Sequence, residues 1–460
     1  MSRSLFLSFP LALFLSSACS TGSSAIEQPD AQAAMPDAQT MPDAGFAPDA
    51  AAAPDSGCTP LAPGDGVLSE GGRTELHFGA DTMASLAQVV GSEGLEVHAS
   101  QDGVVLWSTY GATTSQALRL ERSGCPDTVV PIAVRPLTWE KLAQWDAMSG
   151  PPAREYGAYW PGERDGARGT YIYGGFKYYP RQFTPANDLW FFDYATKTWA
   201  EISTPAAPLA GGARFAEGPS DGTLFLFGGG TPAADGSLDT PSRLQILSLG
   251  DGSFSWQSAA HEAASPGSYT GAFFRDAAND RWISACGADS QRLGVNCAVS
   301  SYTVAGGWQT LTVAGDAPVG RYGFLYTYIP EDNRMILVGG DTGGEVLGDT
   351  WALELGDSPR WVKLFDSDPA VARRNGAFVY DPVGRRLILW GGTKDGRTAV
   401  PGLSILRTER GLERWDHLPT PSFVPPRASG FAVYDPDGSR AVMGFGNAAA
   451  IYTDLFALSL

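Results

Sequence analysis

Ile336-Leu337-Val338-Gly339-Gly340 is an apolar strand that stops on two glycines, and the pattern recurs at Tyr171-Ile172-Tyr173-Gly174-Gly175, Phe225-Leu226-Phe227-Gly228-Gly229 and Leu387-Ile388-Leu389-Trp390-Gly391-Gly392. A further strand follows, as in Asn187-Asp188-Leu189-Trp190-Phe191-Phe192 and Asp349-Thr350-Trp351-Ala352-Leu353. Tryptophans then recur at Trp199, Trp256, Trp308, Trp361 and Trp415, spaced by 57, 52, 53 and 54 residues, with Trp139 standing 60 before the first. A fixed period of about 50 residues marks an array of four-stranded sheets, because one such sheet cannot bury both of its faces alone.

Two units depart from the pattern. The third carries Cys286-Gly287 in place of the glycine pair. The sixth reads Val442-Met443-Gly444-Phe445-Gly446 and Asp454-Leu455-Phe456-Ala457-Leu458, with no tryptophan strand after it. Leu137-Thr138-Trp139-Glu140-Lys141-Leu142 matches the missing strand, so the start of the domain is expected to complete the last blade and close the ring. The double glycine, following aromatic and later tryptophan resemble the kelch repeat. That resemblance spans residues 137–460 and implies a six-bladed kelch β-propeller, a fold that hosts many functions.

The amino-terminal third reads differently. Arg3, the apolar run Leu5 to Leu15, which is too short to span a bilayer, and the small residues Ser16-Ser17-Ala18 before Cys19 read as a cleaved export signal over residues 1–19. Leu15-Ser16-Ser17-Ala18-Cys19 resembles the lipobox of bacterial lipoproteins, with Ser16 where Leu is usual. It implies lipidation of Cys19 and an outer-membrane or cell-surface address through a lipid anchor, the alternative being ordinary cleavage near Ala18. Residues 20–57 repeat Pro-Asp-Ala with six acidic residues and no basic one, which is the composition of a disordered, extended tether.

Residues 58–136 contain strand-like runs at Thr74–Phe78, Leu95–Ala99, Val104–Tyr110, Ala117–Glu121 and Val129–Val134, the pattern of a small β-sandwich acting as a spacer or docking module. The whole chain is therefore expected to be all-β. With Cys19 lipidated, four cysteines remain, and proximity in an exported chain pairs Cys58 with Cys125 and Cys286 with Cys297.

The net charge of -18 over 460 residues makes nucleic acid an unfavourable partner, since the chain and a phosphate backbone share a sign. Candidate binding residues are the arginines that precede the inner strands: Arg154, Arg214, Arg321, Arg374 and Arg427, with Ser268 at the corresponding place in the third unit. Gathered at one channel mouth they would hold a carboxylate, a phosphate or an acidic sugar. The competing reading is that arginine at this position satisfies loop carbonyls and stacks between blades. Tyr178, Tyr179 and Arg181 form an aromatic, basic connection suited to stacking on sugar rings or to a protein contact, or simply to loop packing. Asp435-Pro436-Asp437-Gly438 reads as turn chemistry, not as a calcium loop.

Two kelch-fold enzyme families set tests. Galactose oxidase holds copper with two histidines and with tyrosines, one crosslinked to cysteine. Here only His261 and His417 lie in residues 137–460, each shortly after a strand tryptophan, which disfavours copper chemistry. The sialic acid mutarotases are secreted six-bladed propellers that need no metal, and composition does not exclude that activity. The expectation is a cofactor-free binding module for a protein or glycan. The alternatives are an enzyme acting on an acidic sugar and a structural envelope protein.

Overall fold

The computed structural model describes residues 61, 66–146, 148–178, 183–232, 238–241, 243–250, 253–288, 294–448 and 450–460. The expected export signal with Cys19, the expected tether, Cys58, Tyr179 and Arg181 lie outside them. All described residues belong to one unit, Gly57–Leu460.

Strands buried on both faces need continuous apolar runs, and the second strand of each repeat supplies one. Arg334–Asp341 is buried at every residue. It sits in an antiparallel sheet of Leu325–Ile329, Arg334–Asp341, Val346–Glu354 and Arg360–Phe365. Six such sheets follow one another. Numbered by chain order, the first strands of blades 1 to 6 are Ala158–Arg164, Gly211–Glu217, Ala272–Asp276, Leu325–Ile329, Ala377–Asp381 and Phe431–Asp435. Trp139–Gln144 supplies the outer strand of blade 6, Leu458 pairing with Trp139 and Asp454 with Gln144. The ring is thereby closed between the two ends of the propeller, which leaves no unpaired central edge.

Between blades the core is aromatic. Leu142, Phe431, Val433 and Leu455 of blade 6 and Trp145 meet Ile172 and Phe192 of blade 1, and Tyr159 stacks on Phe431 at 4.2 Å between ring centroids. Each fully buried large side chain of this kind contributes about 2 kcal/mol.

The glycine pairs are the joints of the ring. The second residue of each pair donates its amide to a carbonyl at the start of the next blade: Gly175 to Ala210, Gly229 to Ser268, Gly287 to Arg321, Gly340 to Arg373, Gly392 to Arg427 and Gly446 to Arg154. The first residue is left-handed and stands against that same carbonyl. A Cβ on Gly391 would lie 1.9 Å from the Arg427 oxygen, so a side chain cannot enter there. Blade 3 keeps the conformation with Cys286 at φ 54, and the expected Cys286–Cys297 disulfide is formed.

The five strands expected in residues 58–136 are present, joined by Gly66–Ser69 and Leu86–Gly91 and by the short helix Ala80–Ser85. They form two sheets, one of four strands and one of three, over a core of Leu68, Leu106, Leu118, Leu120 and Ile132. Cys125 is disulfide-bonded. This sandwich is fastened to blade 5 at the end remote from the glycine pairs. Arg407 grips Glu96 through two hydrogen bonds of 3.0 and 2.9 Å and lies 4.2 Å from the centre of the Trp107 ring. Arg386 donates to Ser69 Oγ at 2.8 Å, and Arg73 pairs with Glu409 at 3.2 Å.

Candidate functional site

The five candidate arginines do not form one ring. Arg154, Arg321 and Arg427 are buried inside the wall. Each bonds a carbonyl of its own blade's joint, at Gly174, Gly339 and Phe445, and an aspartate on the third strand side. Arg154 holds Asp188 at 2.9 and 2.8 Å, Arg321 holds Asp349, and Arg427 holds Asp454. Burial works to raise the Asp188 carboxyl, but the Arg154 guanidinium outweighs it and holds the group well below the usual carboxylate range. Expecting these three at the channel mouth is corrected: a guanidinium spent on a buried carboxylate and a carbonyl has no fork left for a ligand.

The remaining two arginines occupy other positions in the repeat. In blade 5 the wall position belongs to Arg373, which donates to the Gly391 carbonyl at 3.1 Å and to Ser404 Oγ at 2.6 Å. Arg374 is therefore one residue further on. In blade 2 the wall position is Ala210, and Arg214 lies four residues beyond it on the inner strand.

Past the wall position come two residues that build the upper end of the channel, the end where the glycine pairs lie. The second of them forms a collar. Tyr156, Gly212, Thr270, Gly323, Asn375 and Ser429 all have left-handed backbones, φ 53 to 72. They are linked in turn: Gly212 N to Tyr156 O at 2.8 Å, Thr270 N to Gly212 O at 3.2 Å, Gly323 N to Thr270 Oγ1 at 3.0 Å, Asn375 N to Gly323 O at 2.7 Å and Ser429 N to Asn375 O at 2.6 Å. Non-glycine residues in this conformation cost about 1 kcal/mol each, which a ring of hydrogen bonds offsets.

The first of the two residues forms a crown above the collar. Its members are Glu155, Gly211, Tyr269, Tyr322, Arg374 and Ala428, bridged respectively to Phe176, Gly230, Ala288, Asp341, Thr393 and Asn447 just after the joints. Arg374 Nη1 lies 2.7 Å from Asp341 Oδ2 and donates to the Tyr322 hydroxyl at 2.7 Å, and its side chain keeps 23% exposure. Glu155 is 5% exposed and accepts from Asn447 Nδ2. Burial pushes its carboxyl up to about 7, against the opposing pull of that one hydrogen bond. Burial, with Glu155 beside it, also pushes the Tyr156 hydroxyl up to about 12. The crown thus brings together a carboxyl poised to gain or lose a proton near neutrality, tyrosine hydroxyls, an amide and a guanidinium. That set can hydrogen-bond a polyol and transfer a proton to it.

Below the collar the channel widens into a cavity of about 520 Å³. Arg214 lines it, whereas Glu155, Tyr269, Tyr322 and Arg374 do not. Tyr178 has its backbone in the strand Phe176–Tyr178, while Tyr179 and Arg181 fall outside the described residues. Among the described residues, no group of three or more His, Cys, Asp or Glu side chains is arranged to hold a metal ion. No helix among them is long and apolar enough to cross a membrane. The crown was hidden from sequence reading: aligning the repeats on their glycine joints puts Tyr269, Tyr322 and Arg374 in one column, but the first hairpin of blade 1 is two residues longer and shifts Glu155 out of it.

No family model matches the chain. Among solved structures, that of YjhT is similar in shape, with a TM-score of 0.52 and 16% identity over 68% of this chain and 96% of that one. A likeness at that identity bears on the fold, which is a kelch-type β-propeller behind a small β-sandwich.

Proposed function

We propose that this chain is an exported, lipid-anchored propeller that binds a glycan at the crown. The observation that carries the reading is the convergence of Glu155, Tyr269, Tyr322, Arg374 and Asn447 on one end of the channel, held by a hydrogen-bonded collar of left-handed residues. A preorganised set of polar groups beside aromatic rings is what recognition of a hydroxyl-rich ligand requires. Export is supported by the lipobox-like sequence and by the Cys286–Cys297 disulfide, a bond that persists in oxidising compartments. Screening wild type, Glu155→Gln and Arg374→Gln on a glycan array tests the reading. Glycans held by wild type and weakened tenfold or more in both variants support it, and a wild type that holds none overturns it.

One observation favours a second reading, cofactor-independent catalysis on an acidic sugar. A carboxyl near 7 can take a proton from an anomeric hydroxyl and return it to the ring oxygen, which is the requirement for opening and reclosing a hemiacetal. Arg374, paired with Asp341 through Nη1, would offer the sugar its remaining donors. Anomer interconversion followed by NMR distinguishes the readings: acceleration by wild type that is lost in Glu155→Gln marks an enzyme, and equal rates with and without protein mark a binding module.

A further inference from the structure

We infer that the channel below the collar is a second site, separate from the crown, and that it takes an organic carboxylate whose anion is held by Arg214. Three observations meet here. The cavity of about 520 Å³ falls in the range of small-molecule sites. Its lining is rich in aromatic residues, among them Tyr159, Phe273, Tyr326, Phe378 and Phe431. Arg214 lies in this wall and, among the described residues, has neither a hydrogen bond nor an ion pair; its Nε is buried and unsatisfied.

Such an arginine stands apart from the other channel cations. Arg374 is neutralised by Asp341 at 2.7 Å, and Arg275, at the lower mouth, lies 3.5 Å from both Glu217 and Asp280. The wall arginines have carboxylates or carbonyls, as described above. A half-buried guanidinium without a counter-charge leaves an electrostatic deficit that an anion can fill. A planar fork of donors matches a carboxylate in two parallel hydrogen bonds, and a single cation calls for a single negative charge. The facing groups are otherwise uncharged until Glu217 and Arg275 are reached. A dianion such as phosphate would find one cation only.

Collar and crown stand between this cavity and Glu155, so the two sites differ in chemistry: polyol recognition above, an aryl or alkyl carboxylate below. Carboxylate binding at Arg214 is independent of what the crown binds.

The experiment compares sodium benzoate with benzyl alcohol, its uncharged analogue, by calorimetric titration into wild type, Arg214→Met, Arg374→Gln and Glu155→Gln. Wild type is expected to bind benzoate at least tenfold more tightly than the alcohol. Arg214→Met should erase that preference, while Arg374→Gln and Glu155→Gln should keep it. Equal binding of the two probes by wild type overturns the inference, as does a preference that survives Arg214→Met or disappears with Arg374→Gln. The melting temperature of unliganded Arg214→Met provides a second check. It should equal or exceed that of wild type because no protein partner is lost, and a fall of several degrees would show that Arg214 serves the fold instead.

Discussion

Asn375 Nδ2 donates to the Tyr156 hydroxyl at 2.9 Å, tying blade 5 to blade 1 across the intervening blade 6. Both residues belong to the collar, and both have left-handed backbones, φ 56 and 55. The collar therefore bears on side-chain and backbone chemistry at once. Asn375→Val should cost more than Asn375→Gly, by about 1 kcal/mol, because a β-branched residue resists positive φ while glycine adopts it freely, and both lose the hydrogen bond. Denaturant melts of the two variants measure the difference.

The wall arginines should behave as parts of the fold. Arg321→Met leaves Asp349 without its counter-charge and the Gly339 carbonyl without its donor, at a cost of about 3 kcal/mol, and Arg154→Met should cost less because Asp188 keeps Lys177 at 3.0 Å. Arg374→Gln, with a partly exposed side chain, should cost about 1 kcal/mol or less. Equilibrium unfolding of the three variants separates wall from crown.

How much of this was legible in the sequence follows from where the repeat is rigid. The second glycine of the joint and the strand tryptophan recur in every unit, and four of the six units keep both glycines, with Cys286 and Phe445 left-handed in the other two, so the six blades and the closing strand at Trp139 could be read directly. The arginines could not be placed so well. Arg373 and Arg374 are neighbours, and only the hydrogen bond to Gly391 says which lies in the wall. Blade 2 has Ala210 in the wall, so Arg214 mimicked a register it does not hold. The crown column varies freely between Glu, Gly, Tyr, Arg and Ala, and variation of that kind carries no periodic signal. The strands Gly66–Ser69 and Leu86–Gly91 were missed because the first has only four residues and half of the second is exposed, so neither carries a sustained apolar pattern.

Glu155 sets a pH dependence whose sign is fixed by its raised carboxyl. Below the unfolded-state value of 4.5 both states are protonated and nothing is lost. Between 4.5 and about 7 the unfolded chain ionises while the folded one keeps its proton, so stability falls as pH rises; above about 7 the loss is complete, at about 3 kcal/mol. Glu155→Gln removes this contribution, and its stability relative to wild type should climb from pH 5 to pH 8. A pH-independent difference would mean an ordinary carboxyl.

The Cys286–Cys297 bond spans 11 residues and should stabilise the chain by about 3 kcal/mol in the loop-entropy description. A Cys286→Ser, Cys297→Ser double variant should be less stable by that margin, and a reducing agent should lower the melting temperature of wild type more than that of the variant, in which the Cys125 disulfide is still open to reduction.

Arg407 fastens the sandwich to blade 5 through Glu96 and the face of Trp107. Arg407→Ala should loosen that contact by about 2 kcal/mol. Faster amide exchange confined to Leu95–Ala99 and Gly103–Ser108, with the propeller strands unchanged, is the expected signature. Uniform exchange across the chain would place the effect elsewhere.

The most direct test of the crown is the carboxyl carbon resonance of Glu155, assigned in labelled protein by its absence from Glu155→Gln. It should titrate near pH 7 in the free protein and move when a glycan selected on the array is added. A resonance that titrates at the ordinary glutamate value near 4.5 and ignores the glycan would contradict the account.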